Sequence, residues 1–139
     1  MAKLSLKVVS QERALLDASV DSVTAVTTQG TITILPGHIP LFTKLDTGEL
    51  VYRENKSEHS IIISKGFLTL SDNNEITIMA DTAVDEREIS MQKAEAAMKQ
   101  AQETLKVSEN QRERIMAEAS LRRALLEIKI AQRTKRTSI

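Results

Sequence analysis

The stretch Gln29-Gly30-Thr31-Ile32-Thr33-Ile34-Leu35-Pro36-Gly37-His38-Ile39-Pro40-Leu41-Phe42-Thr43-Lys44-Leu45-Asp46-Thr47-Gly48-Glu49-Leu50 holds three of the chain's four glycines, both prolines and one of two histidines. Ile32 and Ile34 alternate with threonines and then meet Pro36-Gly37. Proline presets φ near −65° for the first central position of a turn, and glycine accepts the positive φ of the second. Pro40 pushes Ile39 toward an extended backbone and withholds one ladder donor. The pattern is a corner of a β-domain carrying a rigid loop. His38, in that turn, reads as an exposed or edge-packed loop residue.

Working outward, the same period of two recurs. Leu4, Leu6 and Val8 alternate with lysine and serine, and Val20–Val26, Thr31–Leu35, Leu50–Tyr52, Ser60–Ser64, Gly66–Leu70 and Glu75–Ala80 follow. Turn signals separate them at Gln29-Gly30, Pro36-Gly37, Thr47-Gly48, Lys65-Gly66 and Asp72-Asn73-Asn74. Strands at this spacing predict a β-sandwich or flattened barrel of about 85 residues.

Past residue 84 the texture changes. Every glycine, proline and aromatic lies at or before Phe67. Residues 85–139 are rich in helix formers and charge, with acidic Asp85, Glu86 and Glu88 crowding the start of a first helix. Ile89, Ala94, Ala97, Met98, Ala101 and Leu105 are its predicted apolar face, with a break at Val107–Asn110. Ile115, Ala119, Leu121, Ala124, Leu125 and Ile128 are that of the second. Met91, Met98 and Met116 read as gap-filling core. The expected class is α+β: a sandwich over 1–84, then an antiparallel helical hairpin over 85–139. Alanines bury little area, so the seam between the helices is expected to be thin and the hairpin conditionally docked.

Several functions find no support in the composition. With no cysteine there is neither a disulfide framework nor a thiolate metal site. His38 and His59 have no carboxylate at metal-ligand spacing, and no Gly-Lys-Ser/Thr follows the glycines. No catalytic residue and no metal ligand is therefore expected. The beginning of the chain lacks a signal-peptide run, and no segment reaches the ~20 apolar residues of a span. Net charge is zero, yet the first part is acidic by three and the second basic by three. Arg122, Arg123, Lys129, Arg133, Lys135 and Arg136 concentrate that basic charge against Glu127 alone. A solvated face and a dock for an acidic partner both fit. Nucleic acid fits poorly, because no aromatic interleaves the cations.

Taken together, Val8-Val9-Ser10-Gln11-Glu12-Arg13, Gln29 to Leu41, Leu45-Asp46-Thr47-Gly48, Ile63-Ser64-Lys65-Gly66-Phe67-Leu68, Ile76 to Ala83 and Ala119 to Arg133 resemble the epsilon subunit of bacterial rotary ATP synthase. The resemblance implies a sandwich of about ten strands and a regulatory helical hairpin. It implies a non-catalytic rotor subunit of the proton-translocating synthase, which makes ATP from ADP and phosphate. The sandwich would join the gamma subunit to the c-ring, reaching the membrane only through the complex, at the cytoplasmic face of the cell membrane. Gln29, Gly30, Thr31, Pro36, Gly37 and His38 would supply the c-ring and gamma contact. The hairpin would permit turnover when retracted and block hydrolysis when extended, with Arg122, Arg123, Lys129 and Arg133 meeting the beta subunit. Alpha is implied beside it.

Some members of that family bind ATP at the hairpin through an Ile/Leu-Asp-x-x-Arg-Ala motif. Here the run is Ile89-Ser90-Met91-Gln92-Lys93-Ala94, and Glu127 stands where a second arginine is expected beside Arg123. Ser90, Lys93 and Arg123 are the residual positions, and weak or absent ATP binding is the expectation, with no cofactor otherwise. A free-standing adaptor or nucleotide sensor is the competing class; a hydrolase would need a carboxylate or histidine cluster that is not there.

Overall fold

A computed structural model of the chain describes residues 2–137, with side chains to Arg133. It divides into two compact units, Met1–Asp85 and Glu86–Ile139. The first holds eight strands: β1 (Leu4–Ser10), β2 (Ala14–Val20), β3 (Ser22–Thr27), β4 (Gly30–Ile34), β5 (Leu41–Leu45), β6 (Gly48–Glu54), β7 (Ser57–Leu70) and β8 (Glu75–Asp85). The order is β2-β1-β8-β7-β5-β3-β4, with β6 paired to β3 and β7. All pairings are antiparallel except β1 with β8.

Ten strands were expected, and eight are present among the described residues. The difference lies in β7 and β8, which are 14 and 11 residues long and serve both layers. Ser57–Ile63 of β7 pairs with β6, whereas Gly66–Leu70 pairs with β5. Lys65-Gly66, which the sequence presents as a turn, is a bend inside one strand: Lys65 takes a left-handed φ of 57°, and pairing with β8 continues on both sides of it. A Cβ on Gly66 would sit inside contact distance of the Met79 carbonyl oxygen and 2.8 Å from Ala80 Cα. Only glycine lets the two backbones approach so closely.

β5 is the other departure, since it is not among the strands expected from the sequence. Leu45 is buried and Leu41 partly so, while Phe42 and Lys44 face out. This is the period-2 pattern of a strand, and Pro40 stands just before it, where no ladder donor is lost. The Pro36-Gly37 turn forms as expected, with Gly37 at φ 88° and the His38 N–H donating to Leu35 O at 3.2 Å. The core gathers the inward residues of both layers, among them Leu6, Val8, Val23, Ile34, Leu50, Ile63, Leu68 and Ile78.

The second unit opens with a 3-10 turn, Glu86–Glu88, then α1 (Met91–Val107) and α2 (Gln111–Thr137). Of the acidic residues expected in the first turn of α1, Glu86 and Glu88 occupy the 3-10 turn and Asp85 ends β8, while Ser90 caps the helix. Ala94 and Ala101 of α1 are buried, with Ala117, Ala124 and Ile130 of α2. Ile115, Met116 and Leu125, assigned to the apolar interior from sequence, are 60%, 64% and 48% exposed. The seam follows the small residues because alanine lets two helices approach closely, and the larger side chains are left outside.

Replacing Gly66 with alanine should destabilise the sandwich by about 2–3 kcal/mol, as overpacking against rigid backbone does. Chemical denaturation of the two proteins, read at equal m-values, measures it. An unchanged midpoint would show that the bend tolerates a side chain.

Candidate functional site

The six residues expected at one contact loop fall at the two ends of β4. Gln29, Gly30 and Thr31 belong to the β3–β4 turn, where Thr27 Oγ1 donates to Gly30 O at 2.6 Å and accepts the Gln29 N–H at 3.1 Å. Gln29, Gly30 and Thr31 are all exposed. Pro36, Gly37 and His38 form the turn at the far end, five strand residues away, or about 17 Å at ~3.3 Å per residue. That turn is held from two sides. Gly37 N–H donates to Asn74 Oδ1 at 2.8 Å, and His38 Nδ1 lies 2.7 Å from Ile39 O.

A second surface was missed in the sequence. Lys44 of β5, Phe67 of β7, Met79 of β8 and Val9 of β1 lie opposite one another in a row across four strands. Phe42 sits diagonal to Phe67 and stacks on it, with ring centroids 5.6 Å apart and planes 20° from parallel. The residues alternating with these, Val8, Leu68 and Ile78, are buried, so the row faces away from the core. Phe42 is 65% exposed, Met79 51% and Phe67 39%. A soluble sheet normally turns polar groups outward, and an aromatic pair beside a methionine on the open face marks an interaction surface. The signal was present in the adjacent apolar pairs Val8-Val9, Phe67-Leu68 and Met79-Ala80, one member of which must point outward in a strand.

On α2, Arg122, Lys129 and Arg133 are exposed and spaced by seven and four, which places them on one helix face. Ile115 and Leu125 flank the same face, giving it an apolar and a cationic component together. Arg123 lies about 100° away around the helix and is half-buried. The side chains of Lys135 and Arg136 lie outside the described residues.

Ser90 Oγ accepts the Lys93 N–H at 3.3 Å as the cap of α1, so the serine has a structural role of its own. Lys93 is exposed. The antiparallel helices put Arg123 at the same end of the hairpin as both, with Glu127 one turn further along. A carboxylate there opposes a polyphosphate. Among the described residues no group of three or more His, Cys, Asp or Glu comes together to hold a metal. None of the helices is long and apolar enough to cross a membrane.

Residues 3–86 match the family described as ATP synthase, Delta/Epsilon chain, beta-sandwich domain. The ATP synthase epsilon chain of Herpetosiphon aurantiacus is 37% identical over 129 residues, covering 93% of this chain and 94% of that one. The epsilon chain of Dehalococcoides mccartyi is 35% identical over 139 residues, covering 98% and 97%. Among solved structures, a chain in the Euglena gracilis mitochondrial ATP synthase, with OSCP, F1 and c-ring, superposes with TM-score 0.76 at 25% identity over 97% of this chain and 82% of that one. A chain in the Tetrahymena thermophila mitochondrial ATP synthase central stalk and c-ring shares the fold at TM-score 0.61 and 12% identity, over 94% and 97%. The chain belongs to the ATP synthase delta/epsilon family. Within it the relatives are epsilon chains, and an epsilon chain is an accessory subunit without catalysis of its own.

Removing the cap with Ser90→Ala should lower the thermal stability of α1 by about 1 kcal/mol, and Ser90→Asp should retain it. Helical circular dichroism through a melt distinguishes them. Equal loss in both variants would mean the hydroxyl is not acting as a cap.

Proposed function

We propose that this chain is a central-stalk subunit of the proton-translocating ATP synthase, whose sandwich fastens the gamma subunit to the c-ring and whose hairpin restrains ATP hydrolysis. The observation that supports the anchoring role is the outward row of Phe42, Phe67 and Met79. Rigid, strand-borne aromatics in water are poor for an isolated protein and good for a permanent interface, where buried aromatic anchors dominate affinity. We assign that face to gamma. The exposed Gln29–Thr31 turn, polar and held by Thr27, suits the polar loops of the c-ring, and Pro36–His38 contributes at the other end of β4. Similarity to a chain solved with F1 and the c-ring supports membership of such a complex, which in this reading sits at the cytoplasmic face of the cell membrane.

The hairpin has the features of a two-state element. Its seam is mostly alanine, so few kilocalories separate its arrangements. In an extended arrangement the face carrying Arg122, Lys129 and Arg133 would meet acidic side chains of the beta subunit, with Leu125 and Ile115 adding apolar area and alpha lying alongside.

Phe42→Ser with Phe67→Ser should weaken capture of the gamma subunit by roughly 30-fold or more, an effect of about 2 kcal/mol. The fold should lose no more than the ~1 kcal/mol of an exposed ring pair. Surface plasmon resonance against purified gamma reads the first, denaturation the second, and undiminished capture assigns gamma elsewhere. Deleting residues 86–139 should leave assembly and proton coupling intact while ATP hydrolysis by the reconstituted complex rises. Hydrolysis unchanged by the deletion would remove the inhibitory role.

A further inference from the structure

A strand at the edge of a sheet leaves the backbone groups of every second residue open to a further strand. β2 and β4 stand at the two ends of the strand order. β2 is blunted: Asp17 puts a charge in its middle, and its register with β1 shifts at Val8/Val9. β4 has no such protection. Gly30-Thr31-Ile32-Thr33-Ile34 carries no charge and no proline, and it pairs with β3 without a shift from Thr27–Gly30 to Val23–Ile34. Among the described residues no other strand pairs with it. Gln29 before it and Leu35 after it are uncharged and exposed, Leu35 at 58%.

The register decides which groups are open. Val26 O and Thr28 N–H face β5, accepting from Asp46 N–H at 3.0 Å and donating to Lys44 O at 3.2 Å. Thr27 and Ala25 therefore turn their backbone groups to β4, and Gly30, Ile32 and Ile34 answer them. The N–H and C=O of Thr31 and Thr33 point the other way, off the sheet. Both threonines are exposed, with Thr33 Oγ1 3.0 Å from Thr24 Oγ1 on the outer face.

This edge is self-complementary. Turned about a two-fold axis at Ile32, a second β4 runs antiparallel to the first, and Thr31 meets the partner's Thr33 while Thr33 meets the partner's Thr31. Both are hydrogen-bonded pairs, so four N–H···O bonds form and use every open group of the two threonines. A two-fold axis brings each strand against its own copy, which charged residues would oppose; here there are none. Leu35 lands opposite the partner's Gln29 and covers part of its exposed apolar surface.

We propose that the open edge of β4 pairs with a second copy of this chain, Thr31 against Thr33, in a symmetric dimer with one continuous sheet. Five residues a side cover far less than the roughly 1,200 Å² of a stable interface, so the dimer is a weak one, with a dissociation constant on the order of 0.1–1 mM. The contact covers Gln29–Thr31, the turn proposed to meet the c-ring, so a paired chain and an assembled one exclude each other. Only that consequence rests on the proposed function; the pairing belongs to the chain alone.

Sedimentation equilibrium of the full chain from about 10 μM to about 2 mM should show the mass rising from monomer toward dimer and no further. Over the same series hydrogen exchange at the Thr31 and Thr33 amides should slow, while the Ile32 and Ile34 amides, held by β3, stay constant. Thr33→Pro removes an N–H that the chain's own ladder does not use, a change an edge strand tolerates. It deletes two of the four bonds across the axis and should weaken pairing roughly 30-fold with the fold intact. Thr24→Val loses the hydroxyl contact to Thr33, leaves the edge alone, and should pair like the native chain. A monomer throughout the range, undiminished association of Thr33→Pro, or oligomers beyond the dimer would overturn the proposal. So would association that survives in Thr33→Pro and disappears in the Phe42→Ser, Phe67→Ser variant, which places the contact on the aromatic row. Pairing that behaves as stated but is not displaced by a saturating gamma and c-ring complex upholds the dimer and removes the c-ring contact from Gln29–Thr31.

Discussion

The close approach of two backbones at Gly66 and Met79 sets the geometry of the whole sandwich. With no Cβ at Gly66, and with Lys65 in the left-handed region at φ 57°, β7 bends without breaking its ladder to β8. Its two halves can then pair with different neighbours, β6 on one side and β5 on the other. β8 follows the bend and carries β1, which carries β2. Two long strands thus hold both layers together, and the sandwich has fewer free edges than two separate sheets would have. The same bend decides which residues face outward. It brings Phe67 and Met79 opposite each other on the open side, next to Phe42, while Leu68 and Ile78 turn into the core.

Rigidity in one unit and looseness in the other follow from what each buries. The sandwich interior is mostly leucine, isoleucine and valine, drawn from all eight strands, each worth roughly 1.5–3 kcal/mol when fully buried. The hairpin buries Ala94, Ala101, Ala117 and Ala124, with Ile130, and at ~0.8 kcal/mol per methyl the four alanines amount to about 3 kcal/mol. The proposed anchoring role suits the first unit, and the proposed regulatory role suits the second.

Much of this was legible in the residues, and the failures share a cause. Alternation and Pro-Gly chemistry located β1, β3, β4 and the Leu35–His38 turn, because local conformational limits act there regardless of context. The bend at Lys65-Gly66 looked like a chain reversal, since glycine marks both and only the partner strand tells them apart. β5 was hidden by Pro40, which excludes a central strand but not the beginning of one. The outward aromatic row depends on register across four strands, which no local pattern carries. Ile115 and Leu125 were misplaced because helical spacing shows which residues share a face, not which face finds a partner; the alanines took the seam by allowing closer approach.

Ser90 shows how one position can satisfy two demands of different kinds. As the cap of α1 it needs only a side-chain oxygen that accepts the Lys93 N–H, a need that aspartate meets equally well. A nucleotide-binding motif would ask for the carboxylate in addition, and would ask for arginine where Lys93 stands. The fold therefore places no pressure on this site to keep the charged residue. Once Glu127 sits beside Arg123 on α2, the hairpin retains its cap and its bend while the local field opposes a triphosphate. What the hairpin does retain is held by its own contacts, the alanine seam and the polar connection between α1 and α2.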